Sequence, residues 1–268
     1  MPPGPYRTQF SLVVRARWLI STLLLISLTE VEAQKHRSNV VCRDELSAKH
    51  RNDLAGKLQK ITGWSDLDFD REGALRVGSK EALRGSKGAR ELITKAIDGP
   101  NVVILEDASE RSDVVFCRVV PGRWKHHPSE NPDVYVVLID FADFKQVTGD
   151  EQARAAFDVG WGVLHELEHV VHDSHDADLV GTPGDCEEHI NKMRQELGLP
   201  VRTDYFFRSL PLSTDANFTT RFVRIAFEQN HGLANKTKRY WLVWDAATVG
   251  GLPEQGQVAS ARSPSSLK

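Results

Sequence analysis

The spacing of apolar residues along the chain predicts both long helices and buried strands. Leucines and isoleucines recur at helical intervals over Glu45–Thr62, which indicates a helix. The run VYVVLIDFADF, Val134–Phe144, is the strongest strand candidate because it is apolar and rich in β-branched residues. Two further helices are predicted over Glu151–Asp173 and Cys186–Leu197, and the second ends at a glycine and a proline.

Shorter elements complete the pattern, and their order indicates the class of fold. The remaining predictions are a strand at Leu67–Phe69, a helix at Ala89–Ile97, β-rich segments at Asn101–Leu105 and Val114–Val120, and a hairpin of Thr219–Glu228 with Lys238–Ala246 around Asn230-His231-Gly232. No internal repeat is visible. This order predicts one α+β domain in which a sheet packs on helices.

Composition narrows the class of protein. The 268 residues are 40% hydrophobic and 26% charged, values that exclude a wholly disordered chain, a collagen and a coiled coil. The formal net charge is only −3, which argues against a nucleic-acid partner. The chain is therefore expected to be an ordinary globular protein with a sizeable core.

The first residues resemble an export signal. An apolar run, Trp18–Leu28, follows several arginines and precedes Val31-Glu32-Ala33, and this pattern predicts a signal peptide over 1–33. The run is shorter than the roughly 20 residues that span a bilayer, which favours a secreted or periplasmic protein over a membrane anchor. We expect a single domain over 34–249 and a disordered tail, rich in Gly, Ser, Pro and Gln, over 250–268.

Three cysteines remain after the predicted cleavage site: Cys42, Cys117 and Cys186. An odd number in an oxidising compartment leaves at least one thiol unpaired. The spacing does not identify the pair, and a Cys42–Cys117 bridge is a guess.

One motif carries recognisable chemistry. His165-Glu166-Leu167-Glu168-His169 is an H-E-x-x-H sequence inside a predicted helix. Residues i and i+4 share a helix face, so the two imidazoles can meet one metal ion. Glu166 would then hold and deprotonate a zinc-bound water as a general base. An ordinary charged helix face with two solvated histidines is the simpler alternative.

The motif, together with the strand before it, resembles the zincin metallopeptidases over about Val134 to Arg202. The string INKMRQELGLP is also similar to secreted bacterial zincins of poorly characterised function. The resemblance implies a zincin-like α+β fold, with an antiparallel-edged sheet packed on helices and an H-E-x-x-H active-site helix. It further implies a Zn²⁺ cofactor, a peptide or protein substrate, and hydrolysis as the reaction.

The third metal ligand decides the subclass. The metzincin pattern H-E-x-x-H-x-x-G-x-x-H would use His175, but His172 replaces its glycine and a Met-turn is missing. A gluzincin-like site would use Glu187, which lies on the predicted buried face of its helix, where a carboxylate needs a partner. Glu188 is the remaining candidate. The gluzincin-like prediction is therefore a zinc site of His165, His169 and Glu187, with Glu166 as the catalytic residue.

Other features leave alternatives open. The acidic residues Asp173, Asp176 and Asp178 match no calcium-loop register, and we interpret them as part of a polar lid over the cleft. Strand Val134–Phe144 is expected to line that cleft, where an extended peptide can add to its edge. Tyr205 would donate a hydrogen bond to an oxyanion or belong to the core. The rival functions are a non-catalytic zinc-binding interaction module and an amidase acting on non-peptide substrates.

Overall fold

The computed structural model describes residues 38–79, 81–82, 84–109, 111–123, 133–179, 181–209, 221–231 and 236–250. The predicted signal peptide, 1–33, and all but the first residue of the predicted tail lie outside these residues. Within the described ranges, no helix combines the length and apolar character needed to cross a membrane.

The described residues form six helices and eleven strands. The helices are α1 (Ala48–Thr62), α2 (Lys87–Asp98), α3 (Phe141–Gln146), α4 (Glu151–Ala155), α5 (Val159–His172) and α6 (Gly184–Glu196). The strands are β1 (Val40–Cys42), β2 (Leu67–Phe69), β3 (Leu75–Val77), β4 (Val102–Asp107), β5 (Cys117–Pro121), β6 (Val134–Ile139), β7 (Thr148–Gly149), β8 (Val201–Arg202), β9 (Arg208–Ser209), β10 (Phe222–His231) and β11 (Lys236–Asp245).

A four-stranded sheet in the order β1-β4-β6-β5 forms one layer. β1, β4 and β6 run parallel, whereas β5 pairs antiparallel with β6 at one edge, with Val119 opposite Val137. The central strands are almost fully apolar because both of their faces are covered, as expected for parallel strands. The architecture is mixed, with sheets packed against helices, and is compatible with the predicted α+β class.

The strands of the predicted hairpin pair as expected, while its predicted residues Thr219, Thr220 and Gly232 lie outside the described residues. β10 and β11 pair antiparallel over their whole length, from Phe222 opposite Asp245 to His231 opposite Lys236. β7 joins the outer side of β11, and β8 and β9 join β10, which gives a second sheet of five strands. Its buried face, which includes Phe227, Leu242 and Trp244, packs in a separate apolar cluster beside the α4–α5 connection.

Two aspartates end predicted elements earlier than the apolar pattern suggests. The Asp140 carboxylate accepts the N–H groups of Ala142 and Asp143 at 2.8 and 2.9 Å, so the predicted strand Val134–Phe144 stops and α3 begins. The Asp158 carboxylate caps α5 in the same way and divides the predicted helix Glu151–Asp173 into α4 and α5. A side-chain cap of this kind stabilises a helix start by roughly 0.5–2 kcal/mol, and the apolar spacing does not record it.

Helix α5 lies in the centre of the main core. Trp161, Leu164 and Leu167 are at most 2% exposed, and each apolar side chain buried to this degree contributes roughly 1.5–3 kcal/mol. Gly162 allows a close approach to β5, because a Cβ there would lie 2.8 Å from Phe144 Cζ and 2.9 Å from Cys117 Sγ. This packing fixes the face of α5 that carries His165, Glu166 and His169.

Candidate metal centre

The two histidines of the H-E-x-x-H motif converge on one carboxylate. His165 Nε2 lies 2.9 Å from Asp176 Oδ1, and His169 Nε2 lies 3.4 Å from the same oxygen. The helix supplies the spacing of the imidazoles, since residues i and i+4 are stacked on one face. Asp176 comes from the segment after α5. The structure therefore places three side chains of types that can bind a metal around one point.

The turn that follows α5 folds the chain back, so that Asp176 lies next to the histidines of the helix. Asp173 ends the helix in the left-handed region, at φ 53°, and its N–H donates to the carbonyl of His169. The carbonyl of Ser174 then accepts a hydrogen bond from His169 Nδ1 at 2.7 Å. An Nδ1–H bond of this kind fixes the ring orientation and leaves Nε2 free to bind a metal.

Tyr205 holds Asp176 from the other side. Its hydroxyl donates to Asp176 Oδ2 at 2.6 Å, and its ring stacks on His165 at a centroid distance of 6.0 Å. Burial and the Asp176 charge raise the pKa of Tyr205, so the hydroxyl keeps its proton and remains a donor. In this geometry Tyr205 orients Asp176, a role that differs from both alternatives left open by the sequence, a core residue and an oxyanion donor.

Glu187 is buried as predicted, but its carboxylate is shared among other groups. It is 0% exposed, Arg194 Nη1 donates to Oε1, and Arg202 Nη1 donates to Oε2 at 3.1 Å. Burial opposes its ionisation, yet the two guanidinium groups outweigh burial and lower the pKa of Glu187. The same Oε2 lies 3.4 Å from His165 Nδ1, the nitrogen that faces away from Asp176. The Glu187 carboxylate thus lies next to the His165 nitrogen that does not face Asp176.

The other candidates for the third ligand are placed differently. His175 and Glu188 are exposed and belong to no metal-ligating group among the described residues. Cys186 is buried instead, with Sγ 3.5 Å from His165 Nδ1 and 3.7 Å from His165 Nε2. Ligand atoms of His165, His169, Asp176 and Cys186 all lie within 4.8 Å of one another, and this group could hold a metal ion.

Hydrogen bonds between the two imidazoles and the Asp176 carboxylate shift the pKa values of all three side chains. Burial disfavours the protonated imidazole of His169, but hydrogen bonds with Asp176 and Cys186 outweigh burial and raise its pKa to about 11. The pKa of His165 is raised for related reasons, against the effect of its own burial. The pKa of Asp176 is lowered by its hydrogen bonds from the two histidines, although burial opposes this. A cation at the centre would replace these protons.

Glu166 lies beside the group rather than in it. Its Oε2 accepts the backbone N–H of Val119, in β5, at 2.9 Å. Burial raises the pKa of Glu166, and the nearby His165 and His169 only partly offset this. A carboxylate with a raised pKa, next to a metal-ligating group and itself outside that group, has the properties of a general base at neutral pH.

The strand that hydrogen-bonds to Glu166 is β5, through Val119, and not the predicted Val134–Phe144 segment. β6 is paired on both sides, by β4 and by β5, so a peptide has no open edge of β6 to join. β5 occupies the edge of that sheet among the described strands. The prediction identified a strand of this sheet correctly but gave it the wrong place, because an apolar run indicates burial and does not give strand order.

An aromatic cavity of about 320 Å³ adjoins His165 and Glu166. Its walls come from β5, α3, the α4–α5 connection and the hairpin sheet, and include Phe116, Phe144, Phe157, Phe207 and Trp244. A concave apolar space beside polar groups with shifted pKa values is typical of a ligand site.

All three cysteines of the domain are free thiols, which does not agree with the guessed Cys42–Cys117 bridge. Burial raises the pKa of Cys42 to about 12 and that of Cys117 well above its usual range. Both therefore carry protonated, unreactive thiols.

The chain was compared with known proteins at the level of family, sequence and structure. No protein-family model, no curated protein and no solved structure matches it.

Proposed function

We propose that the chain is an exported zinc-dependent hydrolase that cleaves peptide bonds, with His165, His169 and Asp176 as the metal ligands and Glu166 as the general base. The observation that carries the proposal is the convergence of two imidazole Nε2 atoms on Asp176 Oδ1, at 2.9 and 3.4 Å. Export rests on the signal pattern over 1–33.

The chemistry of the donors fits zinc. Two imidazoles and one carboxylate form a ligand set that catalytic zinc sites use, with a fourth position left open. Each imidazole also has an acceptor near its other nitrogen: the Ser174 carbonyl for His169 and the Glu187 carboxylate for His165. Such outer partners orient metal-binding histidines. We therefore assign the third ligand to Asp176 and give Glu187 the role of orienting His165.

The proposed reaction assigns separate tasks to the side chains. Bound Zn²⁺ would polarise a substrate carbonyl and lower the pKa of a coordinated water to about 7. Glu166 takes up a proton from the attacking water at its carboxylate and returns it to the leaving nitrogen. Tyr205 keeps Asp176 in position through the hydrogen bond to Oδ2. Burial by the aromatic wall lowers the local dielectric, so these charges act more strongly than in water.

Two features favour a peptide over other amides. An extended peptide can pair with an exposed strand edge, and β5 forms such an edge next to Glu166 within the described residues. The aromatic cavity of about 320 Å³ can accept one large apolar side chain of that peptide.

A closed zinc site without catalysis is the second candidate, and Cys186 is the observation that favours it. Its Sγ lies 3.7 Å from His165 Nε2, close enough to join the ligand group. Four protein ligands, two imidazoles, a carboxylate and a thiolate, would leave no position for water and no task for Glu166. Such a site would serve an interaction module.

Replacing Asp176 by Ala should remove zinc from this centre. The side chain is 38% exposed, so the domain should tolerate the change. We expect zinc affinity to fall by more than about 100-fold, the upper end of the cost of losing only an outer partner. Competition with a chromophoric chelator measures the affinity. The double variant His165→Ala/His169→Ala should lose the same single equivalent, and Asp178→Ala, an exposed neighbour, should lose none.

A third variant separates the two candidate functions. Cys186→Ala should retain zinc if the site has three protein ligands, and should bind it far more weakly if Cys186 is the fourth. Unchanged zinc binding in Asp176→Ala, with loss in Glu187→Gln, would instead restore Glu187 as the ligand.

A further inference from the structure

A second group of metal-ligating side chains lies on α5 and α6, outside the proposed catalytic centre. Glu168 and His172 are one turn apart on α5, and His189 comes from α6. Both imidazoles meet the same carboxylate oxygen: His172 Nδ1 lies 2.7 Å and His189 Nδ1 2.6 Å from Glu168 Oε1. The ligand atoms of the three residues lie within 4.8 Å of one another.

The burial of Glu168 distinguishes this group from an ordinary surface ion pair. The residue is 1% exposed, and its second oxygen, Oε2, has no hydrogen-bond partner among the described residues. A buried carboxylate oxygen without a partner is unfavourable and needs an explanation. Oε1, by contrast, is crowded, because Ser174 Oγ also lies 3.4 Å from it. The carboxylate therefore has an unused oxygen next to two imidazoles.

We propose that Glu168, His172 and His189 form a second, structural metal site that binds a borderline transition-metal cation such as Zn²⁺ and fastens α5 to α6. Two imidazoles and a carboxylate select this class of cation over Mg²⁺ or Ca²⁺, which prefer oxygen ligands. The cation takes the two Nδ1 atoms, and the unpartnered Oε2 of Glu168 supplies a further ligand atom. The two helices so joined also carry His165, His169 and Glu187.

An entry path exists, since the group borders a cavity of about 390 Å³ at the surface. The imidazoles of His172 and His189 are 33% and 43% exposed. The positive charge of Lys95 disfavours cation binding, because its Nζ lies 2.9 Å from His172 Nε2. When a metal takes Nδ1, the ring proton moves to Nε2 and Lys95 no longer has an acceptor there. Lys95 is exposed, so its ammonium group can turn into solvent.

The test uses the purified chain in the His165→Ala/His169→Ala background, which removes the first centre, and titrates it with Zn²⁺ alone by calorimetry. About one equivalent should still bind, and Zn²⁺ should raise the thermal unfolding midpoint of this background. Adding His189→Ala should weaken binding by at least about 10-fold and abolish the rise in midpoint. His175→Ala, which removes an exposed histidine outside both groups, is the matched control and should change neither readout.

Lys95→Met supplies a variant that removes no ligand. Loss of one unit charge on the far side of the His172 ring, roughly 6 Å from a cation at Nδ1, should tighten Zn²⁺ binding by about 5-fold. A folded background protein that binds no Zn²⁺, or binding that neither His189→Ala nor Lys95→Met alters, would overturn the proposal. If only the catalytic assignment is wrong, the otherwise native chain binds one equivalent that depends on His189 and not on His165 or His169.

Discussion

Glu166→Gln should hydrolyse a peptide substrate about 10²-fold more slowly, or worse, while keeping its zinc. The expected loss is the lower end of what a positioned general base contributes. Gln keeps the size of the side chain and an oxygen that can accept the Val119 N–H, the contact that Glu166 makes at 2.9 Å. Because burial already disfavours the charge of Glu166, as its raised pKa indicates, a neutral amide should not destabilise the fold.

The experiment needs a substrate first, which a peptide library or casein screened with the unaltered chain can provide. Zinc content and the thermal midpoint are then measured beside the rate, and Glu188→Gln, at an exposed position of α6, serves as the control. Equal rates in Glu166→Gln and the unaltered chain, with zinc retained in both, would show that Glu166 is not the base. If a broad library yields no cleavage at all, the closed zinc module becomes the better assignment.

The part of the site that lies on one helix could be predicted, because helical spacing alone brings it together. His165 and His169 share a face in any α-helix, and the apolar pattern around them places that helix in the core. The sequence also predicts the β10–β11 hairpin, since two β-rich runs flank a short turn signal. These features depend on neighbours in the chain, and single-sequence patterns describe such neighbours well.

The part that depends on tertiary contacts could not be predicted. Asp176 reaches the histidines only because Asp173 ends α5 in a left-handed conformation and Ser174 binds His169. In the sequence, Asp176 is one of several acidic residues in a polar loop and has no distinguishing pattern. The H-E-x-x-H motif makes any acidic residue in the loop after α5 a candidate ligand, but it does not distinguish Asp176 from Asp173 or Asp178.

Glu187 shows how far an argument from burial extends. Its place on the buried face predicted correctly that the carboxylate needs partners, since an isolated buried charge is costly. Burial cannot identify those partners. In the structure they are Arg194, two turns further along the same face of α6, and Arg202, which lies in β8 beyond the end of α6. The proximity of Arg202 depends on how the chain folds back after α6, which local spacing does not encode.

Glu187→Ala should therefore destabilise the domain by about 3–5 kcal/mol, the usual cost of removing one partner from a buried ion pair. The change leaves Arg194, which is 2% exposed, without its carboxylate, and it removes the acceptor of Arg202 Nη1. Urea unfolding should be measured in the presence of a strong chelator, so that metal binding cannot contribute. Glu188→Ala is the matched control and should remain within about 0.5 kcal/mol of the unaltered chain, because its side chain is exposed.

Because the chelator removes bound metal, the experiment distinguishes a role of Glu187 in the ion pairs from a role as a zinc ligand. If Glu187 serves mainly to neutralise Arg194 and Arg202, the loss of stability persists in full without metal. If Glu187 is instead a zinc ligand, its carboxylate matters mainly when zinc is bound, and the metal-free variant should be nearly as stable as the metal-free unaltered chain. Equal metal-free stabilities, together with loss of zinc-dependent stabilisation, would contradict the assignment of Asp176 and identify Glu187 as the third ligand.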